Sequence, residues 1–263
     1  MIRPIFTNTA TIRTRSRLIL KGGRGTVDLQ VRVGLILHPT AGPVLIDAGY
    51  GPQVTSAPGR SLLLRFYTRM LGPVLRAGQS PVDLLAAHGV APEDVRTILL
   101  THLHADHVAW LPAFPQARLI TDGQTGGSLR HGVFRELLPN DLPDRQADLR
   151  GFGQAALPFG LGHGFDIFGD GSVLGLPKPG HAPGHYGLVF TGDRPLLYAV
   201  DAQWMLAAVT EDRIPGFPAS LIAANGAAMR ESAALVRRFH DAGGEVMLCH
   251  DPAHTAYDWR PDV

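Results

Sequence analysis

The clearest hydrophobic pattern near the start of the chain is that of β-strands. Val27–Val33 alternates apolar and polar residues with a period of two, as a half-buried strand does. Two short apolar runs follow, Gly34–Leu37 and Val44–Asp47, and the turn-forming segment Pro39–Pro43 separates them. This arrangement predicts a β-hairpin.

Three later segments have features of helices. Between residues 60 and 76, apolar residues recur every three or four positions with arginines between them, which predicts an amphipathic helix. Pro81–His88 has Ser80 as an N-cap and proline at its first position, and Asn225–Ala242 begins with a capping asparagine. In the first segment we expect the core to contain Leu62, Phe66 and Met70. The alternative is that this helix forms the wall of a substrate pocket, with Phe66 as a substrate contact.

Short apolar runs indicate further buried strands. They are Thr97–Thr101, Ala117–Thr121, Ser172–Leu176, Leu188–Phe190, Leu196–Val200 and Val246–Cys249. The strands come in two batches, each mixed with helices, and no linker rich in Pro, Gly or Ser separates the batches. We therefore predict a single domain over residues 1–263, with a helical insertion at about 60–90.

Composition narrows the possible partners. The net charge of the 263 residues is +1, which gives no electrostatic reason to expect nucleic acid or an acidic membrane. The chain shows neither the apolar core of a signal peptide nor ~20 consecutive apolar residues, so we expect a cytoplasmic protein. The expected partner is a small-molecule substrate, and a homodimer is possible. The single cysteine, Cys249, excludes an intrachain disulfide and a cysteine-rich zinc site.

The candidate chemistry begins directly after the strand that ends at Thr101. Four potential metal ligands lie within six residues: His102, His104, Asp106 and His107. In an extended segment, His102 and His104 project to the same side, while Asp106 and His107 lie where the chain can start a helix. Such a loop could supply ligands to two metal ions. The simpler alternative is a polar loop that happens to be rich in histidine.

Further candidate ligands follow the ends of later strands. His181 and His185 come after the strand at Ser172–Leu176, Asp201 follows the run that ends at Val200, and His250 follows the run that ends at Cys249. Side chains at the carboxyl ends of strands converge on one rim of a sheet-based fold, where a rigid site is expected. On a regular strand, Cys249 is expected to face away from His250 and to be a small core residue.

These motifs together resemble the metallo-β-lactamase superfamily. The resemblance rests on HLHADH at 102–107, then Gly180-His181, Asp201 and His250 in order and spacing, with the leading LIDAG at 45–49. It runs from about Gly34 to His250. It implies an αββα sandwich, an α/β (α+β) fold of two facing mixed β-sheets flanked by helices, with the site along one edge. A histidine directly after the aspartate, as in Asp106-His107, resembles the motif of two branches of the superfamily. These are the glyoxalase II and acyl-homoserine-lactone lactonase branches, whose members hold two metals.

The resemblance also implies roles for individual residues. His102, His104 and His181 would bind the first metal, Asp106, His107 and His250 the second, and Asp201 would bridge both. His185 would support the site from outside the ligand set, as would Asp47, for which capping of the Gly49–Gly51 turn is the equal alternative. Zinc is the favoured metal, with iron and manganese as alternatives because no thiolate is among the ligands.

The implied reaction is attack of a metal-bridging hydroxide on a lactone or other ester carbonyl, with Asp106 and Asp201 acting in catalysis. One departure concerns the lactonase tyrosine three residues after the bridging aspartate, because Trp204 stands at that position. Tyr50, Tyr67 or Tyr186 could replace its hydroxyl.

Three other functions are weighed against this one. They are a phosphoester (phosphotriester-type) hydrolase, a sulfur dioxygenase with a single iron on the first histidines, His181 and Asp201, and a binding module without activity. Only 13 residues follow His250. We therefore do not expect a glutathione-binding region like that of glyoxalase II.

Overall fold

Two β-sheets form the centre of the protein in a computed structural model that describes residues 2–123, 133–213, 215–216 and 223–261. In this part of the chain the first sheet has seven strands in the order β4-β1-β2-β3-β5-β6-β7. Its strands are β1 (Ile5–Arg15), β2 (Thr26–His38), β3 (Gly42–Ile46), β4 (Val74–Leu75), β5 (Thr97–Leu99), β6 (Arg118–Thr121) and β7 (Gln146–Asp148). The predicted hairpin is β2 with β3, paired antiparallel. The long strand β1 was not predicted as a separate element, and it pairs antiparallel with β2.

In the described residues the second sheet has six strands in the order β13-β12-β11-β10-β9-β8. They are β8 (Gln154–Ala156), β9 (His163–Asp166), β10 (Val173–Pro177), β11 (Tyr186–Phe190), β12 (Leu196–Tyr198) and β13 (Glu245–Met247). In the first sheet β3, β5, β6 and β7 run parallel, and in the second β12 runs parallel to β13. The carboxyl ends of parallel neighbours lie at one edge of their sheet, which positions the loops that follow them.

The described part of the chain contains eight α-helices. They are α1 (Ser16–Ile19), α2 (Pro52–Thr55), α3 (Leu62–Leu71), α4 (Pro81–Ala87), α5 (Ala105–Val108), α6 (Leu142–Arg145), α7 (Leu206–Thr210) and α8 (Gly226–Asp241). Of these, α4 and α8 pack against the outer faces of the two sheets. Two predicted caps are confirmed. Ser80 accepts a hydrogen bond from the backbone N–H of Asp83 at the start of α4, and Asn225 accepts from two backbone N–H groups at the start of α8.

The core has three apolar layers. The middle layer lies between the sheets and takes side chains from both, for example Ile46 and Leu99 from the first and Leu188 and Tyr198 from the second. Another layer lies between the first sheet and helices that include α4, and the third lies between the second sheet and α8. This is the predicted αββα sandwich. Because both halves of the chain contribute to the middle layer, one domain over residues 1–263 remains our proposal.

The helix predicted over residues 60–76 differs from the observed one. Helix α3 ends at Leu71, and Gly72 follows with a left-handed φ of 58° that stops the helix. The chain then pairs with β1 as β4. The prediction that Leu62, Phe66 and Met70 are core residues is wrong, because all three are exposed. Among the described residues, no helix has both the length and the apolar character that spanning a bilayer requires.

Candidate metal centre

The loop after β5 has the local structure that its sequence predicts. His102 and His104 precede α5, with His104 in extended backbone, and Asp106 and His107 lie in the single turn of that helix. Asp47, directly after β3, fixes the start of the loop: its carboxylate accepts hydrogen bonds from the backbone N–H of Thr101 at 2.8 Å and from its Oγ1 at 2.9 Å. The parallel pairing of β3 with β5 brings these two strand ends together.

Imidazoles from several strand ends surround one carboxylate oxygen. Oδ2 of Asp201 lies 3.2 Å from His181 Nε2, 3.3 Å from His250 Nε2, 3.5 Å from His107 Nε2 and 3.6 Å from His102 Nε2. The side chain of Asp201 is almost fully buried. The structure therefore brings residues from both sheets to a single point.

Two groups of possible ligands share that carboxylate. His102, His104, His181 and Asp201 form one group, and His107, Asp201, Cys249 and His250 form the other, with the ligand atoms of each group within 4.8 Å of one another. Asp106 belongs with the second group by distance. Its Oδ2 lies 3.3 Å from His250 Nε2 and 3.6 Å from His107 Nε2.

Several polar atoms of the cluster are buried without a hydrogen-bond partner among the described residues. They are Nε2 of His102, His104 and His107, Nδ1 of His181, and Oδ1 of Asp201. A buried polar atom without a partner costs about 1–3 kcal/mol. Convergent imidazole nitrogens and carboxylate oxygens are ligands for divalent transition metals, so the residues fit a metal site.

The electrostatics differ between the two groups. Burial lowers the pKa of His104 to about 3 and that of His102 well below its usual value, which keeps both imidazoles neutral, as metal ligands must be. Burial also opposes the charged form of His107, but Asp106, Asp47 and Asp201 raise its pKa well above the usual value. Burial likewise opposes ionisation of Asp201, yet His250 and His107 lower the pKa of its carboxyl well below the usual value. The second group therefore attracts positive charge.

Hydrogen bonds from outside the cluster orient its rings. Nδ1 of His107 lies 2.8 Å from Asp47 Oδ2, and Nδ1 of His250 lies 2.7 Å from the carbonyl oxygen of Gln30. Each bond leaves Nε2 of the ring facing the cluster, an arrangement typical of metal-binding histidines. Asp47 bonds to Thr101 and to His107. Of the two roles considered for Asp47, this contact pattern favours support of the cluster over capping of the turn at 49–51.

His185 has both of its ring nitrogens engaged. Nδ1 donates to the carbonyl oxygen of Lys178 at 2.8 Å, and Nε2 accepts from the backbone N–H of Asp201 at 3.3 Å. Burial lowers the pKa of His185 to about 3, so the ring is neutral and can accept at Nε2. The ring is therefore placed to hold the backbone of Asp201 rather than to bind a metal.

The candidate substrate contacts differ in their burial and in the partners of their hydroxyl groups. The Trp204 ring is buried at the rim, with its centroid 6.1 Å from that of His181. Phe66 is 65% exposed, so its assignment as a substrate contact stays a prediction. Among the tyrosines, Tyr186 donates its hydroxyl to the carbonyl oxygen of Ile120, whereas the hydroxyls of Tyr50 and Tyr67 lie 3.1 Å apart. Burial raises the pKa of both Tyr50 and Tyr67, with a further contribution from Asp106, so both hydroxyls keep their protons.

Cys249 lies closer to the candidate ligands than its strand pattern predicts. The thiol is buried, as expected for a small core residue, but Sγ lies in the group with His107, Asp201 and His250. The prediction that it faces away from His250 is therefore wrong. Strand β13 ends at Met247 and the chain bends at residues 249–250, so the alternation of a regular strand no longer applies.

Arg32 holds the segment that carries His250, a role that was not predicted from the sequence. Arg32 on β2 is fully buried and donates to the backbone carbonyl oxygens of Leu248, Cys249, Asp251 and Ala253. Its Nε lies 2.8 Å from Asp258 Oδ1. The sequence offers no clear signal for this role, because Arg32 occupies a polar position of the alternating strand Val27–Val33 and alternation alone places its side chain in solvent.

Comparison with known proteins agrees with this geometry. Residues 26–205 match the family profile described as the Metallo-beta-lactamase superfamily. The chain is 29% identical over 209 residues to N-acyl homoserine lactonase AttM of Agrobacterium fabrum, covering 77% of this chain and 76% of that protein. It is 28% identical over 251 residues to AttM of Azorhizobium caulinodans, covering 88% and 86%. A solved structure of a B. thuringiensis AiiA mutant with N-decanoyl-L-homoserine bound superposes with a TM-score of 0.70 at 18% identity, covering 95% of this chain and 93% of that one.

Proposed function

The chain belongs to the metallo-β-lactamase superfamily and is a metal-dependent hydrolase, and from this premise we propose that it hydrolyses lactones or related carboxylic esters with two bound divalent metal ions. Zinc is the metal we propose, because imidazole and carboxylate ligands suit it and its geometry adapts during hydrolysis. The observation that carries the proposal is the pair of ligand groups that share Asp201.

We assign the ligands as the sequence motifs suggest. His102, His104 and His181 would hold one ion, and Asp106, His107 and His250 would hold the other. Asp201 would be a ligand of both. This assignment is supported by the buried nitrogens of the first three imidazoles that lack hydrogen-bond partners and by the short distances from Asp106 to His107 and His250. Cys249 is left out, because a thiol whose pKa is raised by burial is a poor source of the thiolate that binds metal.

The metal ions supply Lewis acidity, which polarises the substrate carbonyl and lowers the pKa of water to about 7. The protein's own groups position and protect this chemistry. The carboxyl of Asp201 remains ionised, and its Oδ1, which has no partner among the described residues, is available to a metal ion or to a hydrogen-bond donor. Asp47 and His185 hold His107 and the backbone of Asp201, so that neither ligand has to reorganise during the reaction.

The substrate class follows from the relatives and from the rim of the site. Relatives named N-acyl homoserine lactonase share most of their length with this chain, which favours a lactone bearing an acyl chain. Trp204 presents an apolar ring beside His181 and can donate one hydrogen bond but no acidic proton. A protonated hydroxyl donor is available from the Tyr50–Tyr67 pair instead.

The test combines metal content with substrate turnover. Elemental mass spectrometry of the purified protein should find about two zinc ions per chain, and a panel of lactones, aryl esters and a phosphotriester should show the lactones cleaved fastest. His104→Ala should lose both metal and activity. The matched control is His254→Ala, because His254 is a half-exposed histidine outside the cluster.

Each alternative predicts a different result. If the protein holds one iron per chain and cleaves no substrate of the panel, thiol oxidation would replace hydrolysis as the proposed reaction. Preferred cleavage of the phosphotriester would keep the metal site and change the substrate class. Full activity in His104→Ala would refute the ligand assignment.

A further inference from the structure

Helix α3 has an apolar stripe that faces away from the protein. Leu62, Phe66 and Met70 are 81%, 65% and 63% exposed, and their spacing of four residues places them in one row along the helix. The opposite side of α3 packs inward through Leu64, which is fully buried, and Tyr67. One side of this helix therefore packs into the protein, and the second apolar side remains largely exposed.

Positive charge accompanies the stripe. Residues 48–82 contain four arginines and no Asp or Glu, although the whole chain has a net charge of only +1. Arg65 and Arg69 lie one turn apart on α3, next to the stripe, and both are exposed. Within the described part of the chain, neither side chain forms an ion pair or a hydrogen bond. Glu136 accepts a hydrogen bond from the backbone N–H of Ser61 at the amino end of α3, and Arg65 and Arg69 place positive charge along the helix beyond it.

These features select the kind of partner. Exposed Leu, Phe and Met beside unpaired arginines are the composition of a helix that lies on a membrane surface, where apolar side chains enter the headgroup boundary and arginines attract anionic lipid. A second copy of the chain fits less well. Two α3 helices packed face to face would bring the arginines of both copies together with no acidic residue of the 48–82 segment between them.

We propose that α3 docks the protein on an anionic lipid surface through Leu62, Phe66 and Met70, with Arg65 and Arg69 beside them. The docked helix would lie beside the candidate metal centre. Its inner residue Tyr67 reaches the hydroxyl of Tyr50, which follows the Asp47 strand end, so the docked helix is also a wall of the candidate metal centre. If the proposed function holds, an acyl-bearing substrate dissolved in the bilayer would reach the site beside the docked helix.

Vesicle flotation tests the docking without any substrate. The purified, metal-loaded protein is mixed with vesicles of phosphatidylcholine alone or of phosphatidylcholine with phosphatidylglycerol. We expect it to float with the anionic vesicles and to be released by salt. Leu62→Ser/Met70→Ser should lower the partition coefficient by roughly 10-fold for each apolar side chain removed. Arg65→Gln/Arg69→Gln should lower it about fivefold per arginine and remove the salt dependence.

The control variant is Leu37→Ser, because Leu37 is 46% exposed on β2, outside α3. Thermal unfolding of each variant by circular dichroism confirms that it is folded. Absence of flotation, or equal flotation of Leu62→Ser/Met70→Ser and Leu37→Ser, would overturn the proposal. A dimer that light scattering detects in the wild type and not in Leu62→Ser/Met70→Ser would assign the surface to a second copy instead. If the protein floats with vesicles but hydrolyses no lactone or ester, the docking proposal stands and the proposed function fails. If it hydrolyses lactones but does not float, only the docking proposal fails.

Discussion

The buried lysine Lys178 allows a quantitative prediction of stability. Its side chain is 1% exposed, and Nζ has no hydrogen-bond partner among the described residues. Burial, with a smaller contribution from Arg238, lowers the pKa of Lys178 from 10.5 to about 7. Each pKa unit corresponds to about 1.4 kcal/mol, so the proton on Lys178 costs the folded state roughly 5 kcal/mol. We expect Lys178→Met, which keeps the apolar stem and removes the charge, to stabilise the protein at neutral pH.

The sign of the pH dependence follows from proton binding in the two states. Between pH 7 and pH 10.5 the unfolded chain carries a proton on Lys178 that the folded protein has lost. The free energy of unfolding therefore rises with pH across this window. Below pH 7 both states are protonated and the full cost is present. Lys178→Met should accordingly be more stable than the wild type by several kcal/mol near pH 7, and the difference should shrink as the pH rises.

The assay is urea unfolding of the metal-loaded protein, followed by circular dichroism at a series of pH values from 7 to 10. The quantity compared is the difference in the free energy of unfolding between the variant and the wild type. In this difference the contributions of the other titrating groups, including the metal ligands, cancel. Lys21→Met is the matched control, because Lys21 is the only other lysine of the chain and is exposed. A difference between Lys178→Met and the wild type that stays constant over this range would refute the reasoning. So would a variant that is less stable throughout.

Three further predictions concern the supports of the site. His185→Gln should weaken metal binding by about 10–100-fold while the protein stays folded, as metal titration followed by mass spectrometry would show, since the ring supports a ligand and is not one. Arg32→Met should lower the free energy of unfolding by about 3–5 kcal/mol, measured in urea, because Asp258 and several carbonyl oxygens lose their buried partner; an unchanged midpoint would contradict this. Tyr67→Phe should lower kcat for lactones with little change in metal content, whereas Tyr186→Phe should leave kcat unchanged, since its hydroxyl is held by a backbone carbonyl.

The sequence predicted best the features that local pattern controls. The loop at 102–107 follows a buried strand, and period-two geometry was enough to place His102 and His104 together ahead of a helix. The positions of His181, Asp201 and His250 after strand ends predicted their convergence, because strand ends meet at a sheet edge. Family resemblance supplied the sandwich, which periodicity alone did not.

Predictions failed where the burial or position of a side chain depends on more than the local sequence pattern. The strand pattern placed Arg32 in solvent, but the segment at 248–258 packs against that face and buries it. Cys249 joins the candidate site because its strand ends two residues earlier than the apolar run suggests. The stripe on α3 was predicted to be core because periodicity shows that a helix has an apolar face and does not show whether anything covers it.

The supports of the cluster show why both sheets are needed to build it. His107 is oriented by Asp47 from the end of β3, and His250 by the backbone of Gln30 on β2. In the second sheet, His185 joins the loop after β10 to the backbone of Asp201 after β12. The supports of His107 and Asp201 each act within one sheet, whereas Gln30 on β2 of the first sheet holds His250, which follows β13 of the second. The apolar layer between the sheets and this contact across them therefore position Asp201 relative to His107, and that distance decides whether one carboxylate can serve two metal ions.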